Sequence, residues 1–340
     1  MNSYHTYTEI KSQPQAWQKA LDATSALTPR IRSFTDKYDR VIFSGCGSTY
    51  YLSLAGAALY QQLSGKMARA VPGSELLLNP LSVLEKDVPT LLIAISRSGT
   101  TSETVKAVEQ FKYSKKGEVI TISNYDADLA ALGDLNIILP DGQEESVAQT
   151  RSFSSMYVAL TALCACAARR DDLINAMSIL PDAGQRLITK YESLAKNIGE
   201  NLSFDRFYFL GSGSRYGLAC EANLKMKEMT LTHSEPFHFL EFRHGPMSMV
   251  SKTAVVVGLL SEQNFEHEQA VMNEMQALGA HGFTLSESRG NVNFQSGIPE
   301  ESRGVLYLPV LQLMAFYRSL AKGLNPDSPR NLTAVVTLDL

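Results

Sequence analysis

Two short segments of this sequence, one in each half, follow a single pattern. The first reads Val41-Ile42-Phe43-Ser44-Gly45-Cys46-Gly47-Ser48-Thr49-Tyr50, and the second Phe207-Tyr208-Phe209-Leu210-Gly211-Ser212-Gly213-Ser214-Arg215-Tyr216. Each is a short apolar run of β-forming residues, then Gly-x-Gly-Ser-x-Tyr, then a helix-like stretch rich in small residues. Such a run reads as a buried strand, the glycines as a tight turn and the sequel as a helix. One strand–turn–helix unit in each half implies two similar α/β domains in tandem. The 340 residues of the chain are enough for about two domains.

The rest of the chain keeps the alternation. In the first half, residues 90–95 and 118–123 are apolar strand-like runs, 135–139 is another, and 104–111 reads as a helix. In the second half a strand is expected over 253–260, a helix over 265–278, and weaker strands over 282–285 and 304–308. Strands alternating with helices predict an α/β fold in which each domain is a three-layer α/β/α sandwich around a mainly parallel sheet. Residues 171–201 are amphipathic and helical, with Pro181 as a break, and the domain boundary is placed there. Residues 1–190 are thereby expected to hold an N-terminal helix and the first domain, and 191–340 the second domain and a C-terminal tail. The N-terminal helix is expected to begin after Pro14.

Composition narrows the function classes. Hydrophobic residues make up 44% and charged residues 19%, enough apolar side chains for a real core. A net charge of -4 leaves no overall footprint for nucleic acid or an anionic membrane surface. The four cysteines (Cys46, Cys164, Cys166, Cys220) form no CxxC pair and no metal-like spacing with the six histidines, so no metal site is expected. The start, Met1-Asn2-Ser3-Tyr4-His5, has no basic and apolar leader. With so few cysteines, this predicts a reducing, cytoplasmic setting. No run of about 18 uninterrupted apolar residues suggests a membrane span.

Three places carry candidate chemistry. Ser96-Arg97-Ser98-Gly99-Thr100-Thr101 follows a strand and opens a helix. Amide N–H groups at a helix start favour an anion, and Ser96, Ser98 and Thr101 add neutral hydroxyl donors suited to a phosphate. An ordinary capped helix start would use the same residue types. Gly45-Cys46-Gly47-Ser48-Thr49 is a second loop of this kind. It lacks the third glycine of a dinucleotide fingerprint and the Gly-Lys-Ser/Thr of a nucleoside-triphosphate loop. In the second half, Glu221, Lys225 and Glu228 are spaced i, i+4, i+7 and share one helix face. A solvated ion-paired stripe would look the same. Beyond them Arg243-His244-Gly245-Pro246 places a histidine in a loop, and a carboxylate with a histidine is a natural pair for moving protons on a sugar.

These residues, taken in order, resemble the SIS (sugar isomerase) family of sugar-phosphate enzymes, especially the isomerase half of glutamine–fructose-6-phosphate aminotransferase. The resemblance runs nearly end to end. It covers the Gly45–Tyr50 loop, the Ser96–Thr101 loop, Glu145-Ser146-Val147-Ala148-Gln149-Thr150-Arg151-Ser152-Phe153, the stretch from Glu221 through Glu228 to His244-Gly245-Pro246, Pro309-Val310-Leu311-Gln312-Leu313 and Pro329-Arg330-Asn331-Leu332. It implies that Ser96, Ser98 and Thr101 hold a phosphate, supported by Gly47 and Ser48, with Thr49 where the family has serine. Arg97 replaces the usual glutamine and adds a charged phosphate contact or changes the substrate. Val147 and Gln149 would line the sugar, and Glu228 would move a proton between C1 and C2. His244 would assist ring opening or act as an acid, reaching the site from a neighbouring subunit, which implies a homodimer or a higher oligomer. Glu221 and Lys225 would support Glu228.

One departure bears on the reaction. The aminotransferase carries a Schiff-base lysine shortly after Pro-Arg-Asn-Leu, whereas this chain has Ala334, and its nearest lysine in sequence is Lys322. Alanine cannot form an imine. The layout is closer to single-purpose SIS deglycases and deaminases. The expected function is therefore release of an amine from a 6-phosphorylated amino sugar or fructosamine, by Glu/His acid–base chemistry and without a cofactor. The alternatives are an aldose–ketose phosphosugar isomerase and a non-catalytic sugar-phosphate sensor.

Overall fold

The computed structural model describes residues 4–336. The chain falls into two compact units. The first comprises residues 15–144, 151–178 and the tail from Thr333. The second comprises residues up to Pro14, Glu145–Thr150 and Ile179–Leu332. Helix α1 (His5–Ala26) begins in the second unit and ends in the first.

The first unit is built on β1 (Arg40–Gly45), β2 (Met67–Pro72), β3 (Leu91–Ser96), β4 (Val119–Ser123) and β5 (Leu135–Ile138). Its helices are α2 (Thr28–Thr35), α3 (Ser48–Ser64), α4 (Gly73–Leu78), α5 (Pro80–Val83), α6 (Ser102–Tyr113), α7 (Asp128–Leu132), α8 (Arg151–Ala167) and α9 (Asp171–Ala176). All strand pairs are parallel, in the order β2-β1-β3-β4-β5. Alternate strand residues face opposite ways. Ile42, Leu92 and Ala94 pack with Ala107, Val108 and Phe111 of α6, while Phe43 points to the other face, against Tyr60 of α3 at 5.8 Å between ring centres. Both faces are therefore covered, which gives three layers.

The second unit repeats this plan. Its strands are β6 (Arg206–Leu210), β7 (His233–Phe237), β8 (Ala254–Leu259), β9 (His281–Ser286) and β10 (Val292–Asn293). Its helices are α10 (Leu180–Glu200), α11 (Ser214–Thr230), α12 (Phe265–Ala277) and α13 (Leu308–Ala321). The sheet is again parallel, ordered β10-β9-β8-β6-β7. Read from its other edge, this is the order of the first sheet. Tyr208, Leu210 and Val256 pack with Val271, Met272 and Met275 of α12. On the other face the Arg318 guanidinium of α13 lies 5.0 Å from the ring centre of Phe207. Each fully buried aliphatic or aromatic side chain of these cores contributes about 1.5–3 kcal/mol.

The structure corrects two sequence expectations. Helix α1 does not begin after Pro14; it runs through it. A proline inside a helix leaves the carbonyl four residues back without its N–H donor. Here the side-chain amide of Gln13 donates to the Ile10 oxygen instead (2.9 Å), which makes the proline tolerable. Residues 304–308 are not a strand: Gly304–Tyr307 is a 3-10 turn leading into α13. That apolar run is buried on every side, and periodicity cannot assign such a run. The window Gly304–Ala321 is long and apolar enough to cross a membrane, but 83% of it is buried within the protein, as for a core helix. Pro181 sits in the first turn of α10, where the missing N–H costs nothing.

Candidate functional site

In a parallel sheet of this order, the crevice for a ligand opens at the carboxyl ends of the two strands where the winding reverses. In the first unit these are β1 and β3, and both loops singled out in the sequence leave from those ends. A Cβ on Gly45 would lie 2.7 Å from the Thr49 backbone, so α3 comes too close for any side chain there. Gly47 turns the chain with φ +57°. The Thr49 hydroxyl accepts from the Cys46 N–H and lies 2.9 Å from the Cys46 oxygen, so it closes this turn from a buried position. Ser48 is also buried.

At the end of β3, Ser96 Oγ accepts from the Gly99 N–H (3.1 Å) and lies 3.3 Å from Thr101 Oγ1. The half-buried Ser98 hydroxyl accepts from the N–H and hydroxyl of Thr100, both at 3.1 Å. Thr101 is the N-cap of α6 but makes no side-chain cap bond, and its half-buried hydroxyl stays with Ser96. Ser96, Ser98 and Thr101 are thus gathered around one helix start. Arg97 is buried and donates to the main-chain oxygen of Ala334 at 2.7 Å, which ties the loop to the tail position where the lysine was missed.

The second unit carries the same glycine turn. A Cβ on Gly211 would lie 2.8 Å from the Arg215 backbone, and Gly213 has φ +58°. The place of Thr49 is here taken by Arg215, which pairs with buried Glu268 (2.7 Å) and with Glu300. The main-chain N–H groups of Ser261 and Glu262, beyond β8, donate to Glu268 (2.6 Å) and Glu300 (2.9 Å). Protein carboxylates therefore occupy this crevice, whereas neutral hydroxyls line that of the first unit.

The chemically distinctive group of the second unit lies on α11. Lys225 is 1% exposed, with its ammonium 3.2 Å from Glu221 and 2.6 Å from Glu228. Glu221 is fully buried, while Glu228 keeps 19% of its side chain exposed. Burial alone would push the Lys225 ammonium down, but the charges of Glu221 and Glu228 outweigh it and hold it above the ordinary lysine range. The stripe is thus a buried charge cluster rather than a solvated face. Glu228 lines a cavity of about 150 Å³ with Met229, Leu231, Asn325, Ser328 and Arg330. Arg330 was visible only as part of the Pro329-Arg330-Asn331-Leu332 motif, and its motif membership was the signal.

His244 follows the 3-10 turn Glu241–Arg243 and precedes Gly245 with φ +117°. The turn is pinned by Arg243, which makes two bonds to Glu274 (2.7 and 2.6 Å). The imidazole is exposed, and no hydrogen bond joins it to Glu228 among the described residues. Val147 and Gln149 are half-buried in the Glu145–Thr150 segment. The Gln149 side-chain oxygen is buried and lacks a hydrogen-bond partner among the described residues. Among those residues, no group of three or more His, Cys, Asp or Glu is placed to hold a metal ion.

The profile of the SIS domain matches residues 34–165 and 203–292, the two repeated sheets. The chain belongs to the SIS domain family. Glutamine–fructose-6-phosphate aminotransferases from Pyrococcus horikoshii and Sulfolobus acidocaldarius are 30% and 31% identical over 97% of this SIS protein, which covers 57% and 56% of theirs. The SIS protein thus spans little more than half the length of these curated relatives. The crystal structure of glucosamine-6-phosphate deaminase from Thermotoga maritima is 25% identical with a TM-score of 0.77, and the match covers 94% of this chain and all of that one. Tagatose-6-phosphate ketose/aldose isomerase from Escherichia coli shares the fold at a TM-score of 0.88 and 23% identity, over 99% of this chain and 97% of that one.

Proposed function

We propose that this SIS protein is an enzyme that releases an amine from a 6-phosphorylated amino sugar or fructosamine. The observation that carries the reading is Glu228, a carboxylate oriented by a buried lysine at the wall of a small cavity. A base so held is fixed in one place at the cavity wall. Ser96, Ser98 and Thr101 take the phosphate together with amides at the start of α6, beside the turn of Gly47, Ser48 and Thr49. Val147 and Gln149 meet the sugar, whose hydroxyls satisfy the orphan oxygen of Gln149.

The open-chain sugar places its nitrogen-bearing carbon next to a carbonyl. Glu228 takes the proton from that carbon, and the electron pair moves toward the carbonyl oxygen, which His244 protonates. The resulting enaminol accepts a proton at its other carbon and becomes an imine. Water adds to the imine, and the amine leaves with a proton. Acid–base help of this kind contributes about 10²–10⁴ in rate. Ala334 has no amine, so ring opening does not pass through an imine at that position. The exposed His244 serves the site of a second copy, making the enzyme a homodimer.

The test is incubation with glucosamine 6-phosphate and with fructosamine 6-phosphates in deuterated water. Free amine and a deuterium-labelled sugar phosphate are the expected products. Labelled sugar phosphate without free amine would replace this reading with ketose–aldose isomerisation. No turnover, with no rise in melting temperature from any phosphosugar at millimolar concentration, would leave no enzyme reading standing.

A further inference from the structure

Helix α1 contributes nothing to the chemistry above, yet it carries a buried carboxylate aimed at a single backbone segment. Glu9 is 3% exposed. One of its oxygens accepts from the main-chain N–H groups of Glu145 (2.7 Å) and Ser146 (3.2 Å), and the other from the Ser146 hydroxyl. One residue further on, the Val147 N–H donates to the main-chain oxygen of Asp327 (2.9 Å). The Asp327 carboxylate in turn accepts from the N–H groups of His5 (3.0 Å) and Thr6 (2.8 Å) and from the Thr6 hydroxyl (2.7 Å), so it caps the first turn of α1. At the far end of the segment, Gln312 of α13 donates to the Thr150 oxygen (3.3 Å). All these residues belong to the second unit.

We propose that Glu9 is a positioning residue, which fixes the backbone of residues 145–147 so that Val147 and Gln149 are held in register for the sugar. The inference rests on the reading of Val147 and Gln149 as sugar-lining. Residues 145–150 belong to no helix or strand and lack a ladder of their own. An irregular segment keeps one conformation only when its polar groups are satisfied from outside. Three donors converging on one buried carboxylate are charge-assisted bonds, stronger than neutral ones. An amide at this position keeps only a neutral oxygen for the two N–H groups, and its N–H₂ can meet the Ser146 hydroxyl only as a donor, so the charge-assisted bonds become weaker neutral ones.

The experiment compares the full chain with Glu9→Gln and with the milder Ser146→Ala. Hydrogen exchange is measured at residues 143–150, and KM and kcat for the phosphosugar together with the dissociation constant of inorganic phosphate. In Glu9→Gln, the Glu145 and Ser146 amides exchange about tenfold faster, as expected when their acceptor loses its charge. KM for the phosphosugar rises about tenfold, while inorganic phosphate, which does not touch this segment, binds as before. Ser146→Ala moves the same quantities less. Unchanged exchange at 145–146 would overturn the positioning role. So would a Glu9→Gln enzyme that loses phosphosugar and inorganic phosphate affinity equally, since that is general loosening. A wild-type chain that binds no phosphosugar would instead sink the functional reading, and the exchange result would still decide whether Glu9 holds the segment.

Discussion

The Lys225 ammonium lies 2.6 Å from a Glu228 oxygen on the next turn of α11, a helix in which Glu221, Asn223, Met226 and Met229 are also buried. A buried cation with two carboxylates is costly to dismantle from one side. Lys225→Met leaves the fully buried Glu221 without its counter-ion, and the expected loss is about 3–5 kcal/mol. Urea denaturation measures it. The double variant Glu221→Gln/Lys225→Met recovers much of that loss, because the stranded charge goes with its partner. The linkage has a definite sign. Because the folded-state pKa of Lys225 is raised, its contribution is complete below the ordinary lysine value and disappears as the pH rises through the raised value. The wild-type advantage over the double variant therefore narrows in alkali.

Replacing Glu228 by Gln separates chemistry from binding. The side chain keeps its size and one acceptor for Lys225 but can no longer take a proton. Turnover should fall by about 10²–10⁴ or more. The shift in melting temperature given by the phosphosugar should persist. Loss of that shift in a folded variant would move Glu228 from base to binding group.

Every central strand was legible, and so was the edge strand β5. β3, β4 and β8 are buried along their whole length and appear in sequence as unbroken apolar runs. The strands that escaped, β2, β7 and β10, all lie at sheet edges. Two of them carry the half-exposed pattern of Met67–Pro72 and His233–Phe237. Pro236 sits inside β7, which only an edge strand tolerates. The glycine turns were legible because close approach and positive φ leave no other residue type at Gly45 and Gly47. The candidate site was legible as a set of loops and motifs. Burial was not, so the stripe on α11 looked the same as a solvated one. Glu9 was invisible because its partners lie far along the chain and are mostly backbone groups, which every residue possesses.

Gly99 tests the phosphate loop without touching its hydroxyls. It has φ +71°, and a Cβ there would lie 3.2 Å from Ala127 Cβ and 3.3 Å from the Tyr125 oxygen. Gly99→Ala is expected to cost about 1 kcal/mol or more in stability, because alanine is strained at that φ. The Gly99 N–H that holds Ser96 moves with it, so affinity for phosphosugar and for inorganic phosphate should fall together. Calorimetric titration with both ligands checks this. A stability loss with both affinities intact would place the phosphate elsewhere.

Acid should loosen the attachment of α1 at a second point. Glu192 of α10 accepts from the hydroxyls of Tyr7 (2.6 Å) and Tyr317 (2.7 Å) and from the Lys11 ammonium (2.6 Å). Burial would push its carboxyl up, but Lys11, Tyr7 and Tyr317 together hold it below the ordinary value of 4.5. In the unfolded chain the carboxyl returns to that ordinary value. The unfolded state therefore binds the proton first, and stability falls as the pH drops through the folded-state value. Above the ordinary value the contribution is fully present. Glu192→Gln removes this dependence while keeping the shape. The melting temperature of wild type should exceed that of the variant at neutral pH, and the gap should close in acid below 4.5. A gap that stays constant across that range would mean that Glu192 holds α1 by packing and neutral hydrogen bonds rather than by its charge.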